Sequence, residues 1–233
     1  MTEDYFRPVR GAVRLNKFSW PTDVIKKEIG QIQKSDWKER EYGDRWYDVP
    51  LYFRGKNGAE ELHPLLDQSP GLMSVLNGFP SRPLDMCIAS LEAGGSVKEH
   101  RDISGGVAAG VIRFHIPIIT HKDVAFFVSG DRVTMAEGEL WTLDTTYKHR
   151  VINGSDVTRI HLIIDLEQSK ELKAMLPPKD LRDTAHNIYF AGICVVKGIA
   201  LLFTNPGMLF KRAGDFFRLR ILRQSVLYES KES

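Results

Sequence analysis

The spacing of hydrophobic positions changes character along this chain. From Pro21, the apolar residues Val24, Ile25, Ile29 and Ile32 recur at helical spacing with charges between them. This predicts a surface helix that is entered through proline and ends near Ser35. Trp46-Tyr47-Asp48-Val49-Pro50-Leu51-Tyr52-Phe53 reads as extended chain, because aromatic and β-branched side chains suit a pleated surface. Short helical or loop pieces are expected over 62–76, around Pro64 and Pro70. Residues 1 to about 83 thus form an N-terminal layer.

From 84 to 167 the apolar runs become short and regular: Leu84–Leu91, Val111–Ile119, Val124–Val128, Glu139–Leu143, His149–Ile152 and Thr158–Leu166. Glu92-Ala93-Gly94-Gly95, Ser104-Gly105-Gly106, Ser129-Gly130-Asp131 and Asn153-Gly154-Ser155 read as the breaks between them. Many short strands with close turns predict an antiparallel barrel or jelly roll. Two strands alternate in a particular way. Ile112, Phe114, Ile116 and Ile118 share one face, with Arg113 and His115 on the other. Ile160, Leu162 and Ile164 likewise oppose Arg159 and His161. Side chains of a strand alternate with period two. Each Arg/His face must therefore meet water or a polar cavity, and two such strands in one small barrel favour the cavity.

Beyond about 168 the pattern turns helical, after a break at Pro177-Pro178. Ile188 to Phe203 is strongly apolar with Lys197 in its middle. It falls short of the roughly 20 residues that span a bilayer, so a buried helix or helix pair is expected, with membrane-surface contact as the alternative. Phe210, Ala213, Phe217 and Ile221 then form an apolar stripe beside Lys211, Arg212, Arg218, Arg220 and Arg223, read as a helix packed on the body. The division expected is a domain over 1–167, with its barrel core at about 84–167, and a helical C-terminal extension over 168–233.

Composition adds bounds. The chain has 233 residues, 42% hydrophobic and 27% charged, with a formal net charge of +2. That suits one sizeable core and gives no argument for nucleic acid as a partner. Two cysteines, Cys87 and Cys194, cannot build a disulfide framework. Met1 to Arg14 is polar, without the apolar stretch of a secretory signal. Both observations fit a reducing cytoplasm.

The candidate chemistry rests on His100, Asp102 and His149. Residues two apart at a strand end aim side chains to the same side, and His149 arrives from another strand. Two imidazoles and one carboxylate on one octahedral face leave open positions, which is the ligand set of non-haem Fe(II) and O2 chemistry. Arg159, ten residues past His149, can grip the far carboxylate of a dicarboxylate co-substrate through two charge-assisted hydrogen bonds. Burying that carboxylate unpaired would be costly.

With these residues in place, the stretch from about Ser90 to Asp165 resembles the aspartyl/asparaginyl β-hydroxylase family of Fe(II)- and 2-oxoglutarate-dependent dioxygenases. The matching pieces are Ser90-Leu91-Glu92-Ala93-Gly94 ahead of His100, Arg113-Phe114-His115, Gly138-Glu139-Leu140-Trp141, His149-Arg150-Val151-Ile152-Asn153, and Arg159-Ile160-His161-Leu162. The resemblance implies a mainly β fold with flanking helices: a double-stranded β-helix (jelly-roll, cupin-like) core with N-terminal and C-terminal helical additions. It implies iron on His100 and His149, with Asp102 supplying an acidic ligand that animal members lack. It also implies 2-oxoglutarate on Arg159 with Ser90 as a hydroxyl partner, His115 near the co-substrate, and Arg113 facing the co-substrate or a substrate carboxylate. The expected activity is hydroxylation of an unactivated C–H of an amino acid (free, peptidyl or carrier-bound) by Fe(II), 2-oxoglutarate and O2, with release of succinate and CO2. Two other readings stay open: a lipid or glycolipid hydroxylase docking through the basic C-terminal helix, and a non-catalytic cupin-like binding module.

Overall fold

One strand organises the molecule. β6 (Pro83–His100) runs for 18 residues through the stretch Glu92-Ala93-Gly94-Gly95, which the sequence pattern reads as a break between strands. The structure corrects this: the glycines bend a single strand. Gly94 has φ +73, a left-handed conformation that costs glycine least. Opposite the bend, β4 (Gly43–Arg54) shifts register between Asp44 and Trp46, and the Nη1 of Arg45 donates to the carbonyl of Ala93 at 2.8 Å. The two strands curve together through a bulge on one and a glycine on the other. This computed structural model describes residues 5–9, 11–54, 59–80, 83–102 and 110–217.

The bend gives β6 two partners on one edge. Its first half pairs with β12 (Arg159–Glu167) and its second half with β11 (His149–Asn153), while β4 runs along the other edge. Beyond β12 lie β7 (Val111–Ile119), β10 (Glu139–Leu143), β2 (Ala12–Ser19) and β1 (Tyr5–Val9). Beyond β11 lie β8 (Val124–Val128) and β9 (Asp131–Val133). The short strands β3 (Lys38–Glu39) and β5 (Glu60–Leu62) extend the β4 edge. The pairings are antiparallel, so the fold is mainly β, a jelly-roll core with flanking helices. The sheet takes in β1, β2 and β4 as well as the expected strands of 84–167. β1 and β2 are absent from the sequence pattern because β1 is only five residues long and contains Pro8, and the second half of β2, Asn16 to Ser19, breaks the apolar alternation of Val13 and Leu15.

Helices α1 (Thr22–Ile29) and α2 (Pro70–Asn77) cover the outer face of the larger sheet. Ile25, Ile29, Leu72, Val75 and Leu76 pack there with Ile88, Phe114, Ile116, Leu162 and Ile164. α1 stops before Gly30, sooner than the predicted Ser35. Its Glu28 is 5% exposed and accepts the backbone N–H groups of Gly71 and Leu72 at 2.7 and 2.8 Å. A carboxylate at the start of α2 satisfies donors that the helix cannot satisfy itself. A second cluster, with Leu91, Val97, Phe126, Val128, Trp141, Leu143 and Val151, lies between the sheets. The greasy faces of β7 and β12 therefore meet the helices, and their Arg/His faces turn into the barrel.

The C-terminal helices are α3 (Lys170–Ala174), α4 (Leu181–Thr204) and α5 (Pro206–Phe217). The expectation of a short, buried apolar helix is corrected here. α4 has 24 residues, passes for a membrane-crossing helix by length and composition, and has 6% of its most apolar window buried. Phe190 is its buried residue. Ile221 of the expected apolar stripe and Arg218, Arg220 and Arg223 of the basic residues beside it lie outside the described residues, as does the Ser104-Gly105-Gly106 break.

Asn153 ties the sheets together. Fully buried, it donates to the carbonyls of Leu91, Glu92 and Val157 at 2.9, 3.0 and 2.8 Å, and its Oδ1 accepts from Ser155. Replacing it leaves buried carbonyls beside the β6 bend without donors. Asn153→Ala is expected to cost about 2–4 kcal/mol, measurable as a lower urea midpoint at unchanged slope.

Candidate active site

The bend in β6 carries its C-terminal half into the smaller sheet, where His100 pairs directly with His149 of β11. Their ring centroids lie 4.2 Å apart. Each ring is fixed in the same way. The Nδ1 of His100 is 2.7 Å from the carbonyl of Lys98, and that of His149 is 3.0 Å from the carbonyl of Tyr147. A carbonyl only accepts, so Nδ1 carries the proton and each Nε2 keeps its lone pair for a metal. Asp102 follows the end of β6, its backbone N–H bonded to the carbonyl of Thr145 at 2.9 Å. Its Oδ1 is 3.6 Å from the Nε2 of His100. One ligand atom from each of the three residues lies within 4.8 Å of the other two. Two imidazoles and a carboxylate on one side, with the barrel interior opposite, fit a ferrous ion.

Arg113 holds the carboxylate in place. Its Nη1 donates to the Oδ2 of Asp102 at 2.6 Å, and its Nε and Nη2 clasp Asp165 at 2.7 Å each. The expectation that Arg113 faces a co-substrate or substrate carboxylate is thereby corrected, because two carboxylates of this chain occupy it. Burial pushes the Asp102 carboxyl up, but the charges of Arg113, His149 and His100 outweigh it and leave the group below the usual carboxylate range. Asp102 is thus ionised at neutral pH, with Oδ2 engaged and Oδ1 free. His149 is pushed down, chiefly by burial and against the pull of Asp102, which favours the neutral imidazole that a metal needs.

Arg159 presents the opposite case. It is 3% exposed, and its Nε has no hydrogen-bond partner. Among the described residues no carboxylate lies against it, and burial alone pushes its pKa down to about 9. At neutral pH it is a buried cation without an anion, a costly arrangement unless a ligand completes it. The guanidinium lies 5.8 Å from the ring of Phe126, and that ring stacks 6.5 Å from His149. Phe126 thus bridges the metal ligands and Arg159. His115 and His161 stand edge to face at 5.8 Å, and the Nδ1 of each is buried without a partner. Burial first, then the charge of Arg159, holds both well below the ordinary histidine value. At the rim, Tyr42 is 66% exposed and lies nearly parallel to the His100 ring at 6.5 Å.

Ser90 does not join this group. In the β6–β12 ladder Leu91 pairs with Arg159, and Ser90 pairs with Ile160. One step along a strand reverses the face, so Ser90 points away from the pocket and Ala89, opposite His161, points toward it. Phe126, Asp165 and Cys87 were not singled out for the site by sequence. Asp165 shares the alternation of Arg159 and His161, a signal that was available. Phe126 sits in the unbroken apolar run Val124–Val128, where nothing marks it. Cys87, opposite Ile163, faces inward as a thiol whose pKa burial raises well above the ordinary value.

The family model described as Aspartyl/Asparaginyl beta-hydroxylase matches residues 21–169. Among solved structures, the chain is similar to an oxidoreductase of the 2OG-Fe(II) oxygenase family from Burkholderia pseudomallei, at 13% identity and TM-score 0.48, over 66% of this chain and 83% of that one. It is also similar to the non-heme alpha ketoglutarate dependent carbocyclase SnoK from nogalamycin biosynthesis, at 13% identity and TM-score 0.48, over 73% of this chain and 88% of that one. No curated protein matches by sequence.

Two outcomes are expected. Arg113→Gln removes the clasp on Asp102 and should weaken Co(II) or anaerobic Fe(II) binding about 10- to 100-fold, read by calorimetry. The second concerns acid. His115 and His161 are neutral when folded and have their ordinary value of 6.5 when unfolded. The unfolded chain therefore binds more protons below pH 6.5, and stability is lost as pH falls from there. The slope is about 1.4 kcal/mol per pH unit for each histidine. Urea midpoints of the metal-free protein should drop between pH 7 and 5, and His161→Gln should flatten that drop.

Proposed function

This chain belongs to the aspartyl/asparaginyl β-hydroxylase family and is an oxygenase of the Fe(II)- and 2-oxoglutarate-dependent class; we propose that it hydroxylates an unactivated C–H bond of an amino acid, free, peptidyl or carrier-bound, with release of succinate and CO2. The observation that carries this reading is the pairing of two features in one barrel: a His–Asp–His cluster with free ligand atoms, and a buried arginine with no anion of its own. A metal store or structural site needs the first and has no use for the second.

His100, Asp102 and His149 would hold the metal, through the two Nε2 atoms and the Oδ1 of Asp102. Fe(II) together with 2-oxoglutarate and O2 supplies the oxidising power for C–H cleavage. The chain's own residues bind, orient and exclude water. Arg159 anchors the distal carboxylate of 2-oxoglutarate, and a bidentate grip fixes the co-substrate's direction as well as its place. Neutral His115 and His161 flank that carboxylate and can each donate one N–H without adding charge. Phe126, Leu91 and Trp141 line the space between with apolar surface, which keeps the low dielectric that strengthens the Arg159 contact. Arg113 keeps one oxygen of Asp102 occupied, so the carboxylate offers a single oxygen to the metal and leaves room for other ligands. Tyr42 flanks the open side of His100, where substrate would enter. The amino-acid class of the substrate is supported by the family to which the chain belongs.

The test is spectroscopic. Anaerobic addition of Fe(II) and 2-oxoglutarate to the wild type is expected to give a weak visible charge-transfer band, absent in Asp102→Ala. Arg159→Ala removes two charge-assisted hydrogen bonds and should weaken 2-oxoglutarate binding on the order of 100-fold or more, with metal binding retained. Succinate release across free, peptidyl and carrier-bound amino acids then identifies the substrate. A flat spectrum for the wild type under saturating metal would favour a cupin-like binding module instead.

A further inference from the structure

The α4–α5 hairpin has one face that is largely uncovered among the described residues. Ile188, Tyr189, Val195, Val196, Ile199, Leu202 and Phe203 are each more than half exposed, Phe203 at 85%. At 3.6 residues per turn these seven side chains fall within an arc of about 140°, and Lys197 lies about 150° from its centre. Apart from Tyr189 at the start of the arc, which Arg101 approaches, the contacts are made by the opposite side. Phe190 is buried there beside His186, and Gly198 approaches Leu209 of α5. Lys197, itself exposed, thus projects away from this arc, and the arc carries no charged residue of the helix. The apolar surface continues around the tip of the hairpin, through Met208 at 42% and Phe210 at 73% exposure. Immediately afterwards the sequence over 211–223 carries five cations, Lys211, Arg212, Arg218, Arg220 and Arg223, against the single acid Asp215.

We propose that this hairpin lies in the surface of a bilayer containing anionic lipid, with the Ile188–Phe203 face immersed and the cations after Phe210 at the headgroups. A stripe of large apolar groups followed by Lys and Arg is the chemistry of an interfacial helix. Crossing the bilayer fits less well. The apolar part of α4, from Ile188 to Phe203, extends about 24 Å against a hydrocarbon core of about 30 Å, and α5 returns beside it. The helix start is also held by the barrel. His186 stacks on Tyr147 at 3.5 Å and bonds the Thr146 hydroxyl at 2.9 Å, and Arg101 lies 5.9 Å from the ring of Tyr189. Arg101, Thr146 and Tyr147 flank the ligands Asp102 and His149 in sequence. Docking on this face thus holds the metal end of the barrel beside the membrane surface, whatever reaction occurs there.

Flotation of the full chain with phosphatidylglycerol/phosphatidylcholine vesicles tests this. Most of the protein is expected to float, and at least tenfold less with phosphatidylcholine alone. The triple substitution Val196→Glu, Ile199→Glu and Phe203→Glu should cut recovery at least tenfold, with Co(II) binding by the barrel unchanged. Trypsin added outside the vesicles should cleave within 211–223 of the bound protein. Failure of the wild type to float, flotation of the triple variant at wild-type levels, or protection of 211–223 would overturn the proposal. So would a lipid-free dimer that the triple variant converts to monomer and that vesicles leave intact, because a second copy would then cover this face.

Discussion

The backbone ladder of β6 is the constraint on which the site depends. One strand contributes its first half to the larger sheet and its second half to the smaller, and the positive φ of Gly94 lets it do so without a break. Arg159 pairs with Leu91 before the bend, and His149 pairs with His100 after it. The distance between the anion-binding end of the pocket and the metal-binding end is therefore set by hydrogen-bonded backbone rather than by loops. Rigid elements position such groups better than mobile ones. Asn153 reinforces the same junction by bonding carbonyls of both Leu91 and Glu92.

Two buried arginines show how the same side chain serves two ends. Arg113 is saturated by Asp102 and Asp165, so its charge is spent inside the protein. It acts on the metal only through the carboxylate that it orients. Arg159 has no such partner and keeps its charge for a ligand. Desolvation penalises both, but only the first is compensated in the protein alone. The uncompensated cation marks where an external carboxylate belongs, and neutral His115 and His161 beside it add hydrogen-bonding capacity without competing charge. The same contrast explains why Arg113 and Arg159, which look equivalent in the strand alternation, have different roles.

The C-terminal hairpin follows another rule. A helix in a soluble body buries its large apolar side chains, and α4 instead buries Phe190 and exposes the arc from Ile188 to Phe203. Its attachment near the metal ligands joins that exposed surface to the site mechanically, through the stacked pair His186 and Tyr147.

The sequence by itself determined the class of fold, the strands from Val111 onward except the short β9, and the metal cluster. Alternation in strands is local, and a His-x-Asp pair keeps its geometry wherever the strand goes. It also marked Arg159, since an Arg/His face opposite a wholly apolar one has to meet polar surroundings. Tertiary structure decided what depends on register and on partners from distant segments. The glycines after Leu91 look like a turn in sequence and become a bend only because β4 bulges to follow it. Ser90 and Ala89 are neighbours in sequence, and pairing with β12 alone determines which one faces the pocket. Arg113 acquires its role from Asp102 and Asp165, and Phe126 from lying between Arg159 and His149. The apolar α4 segment could have been core or surface, and only packing, which covers one side of it, distinguishes the two.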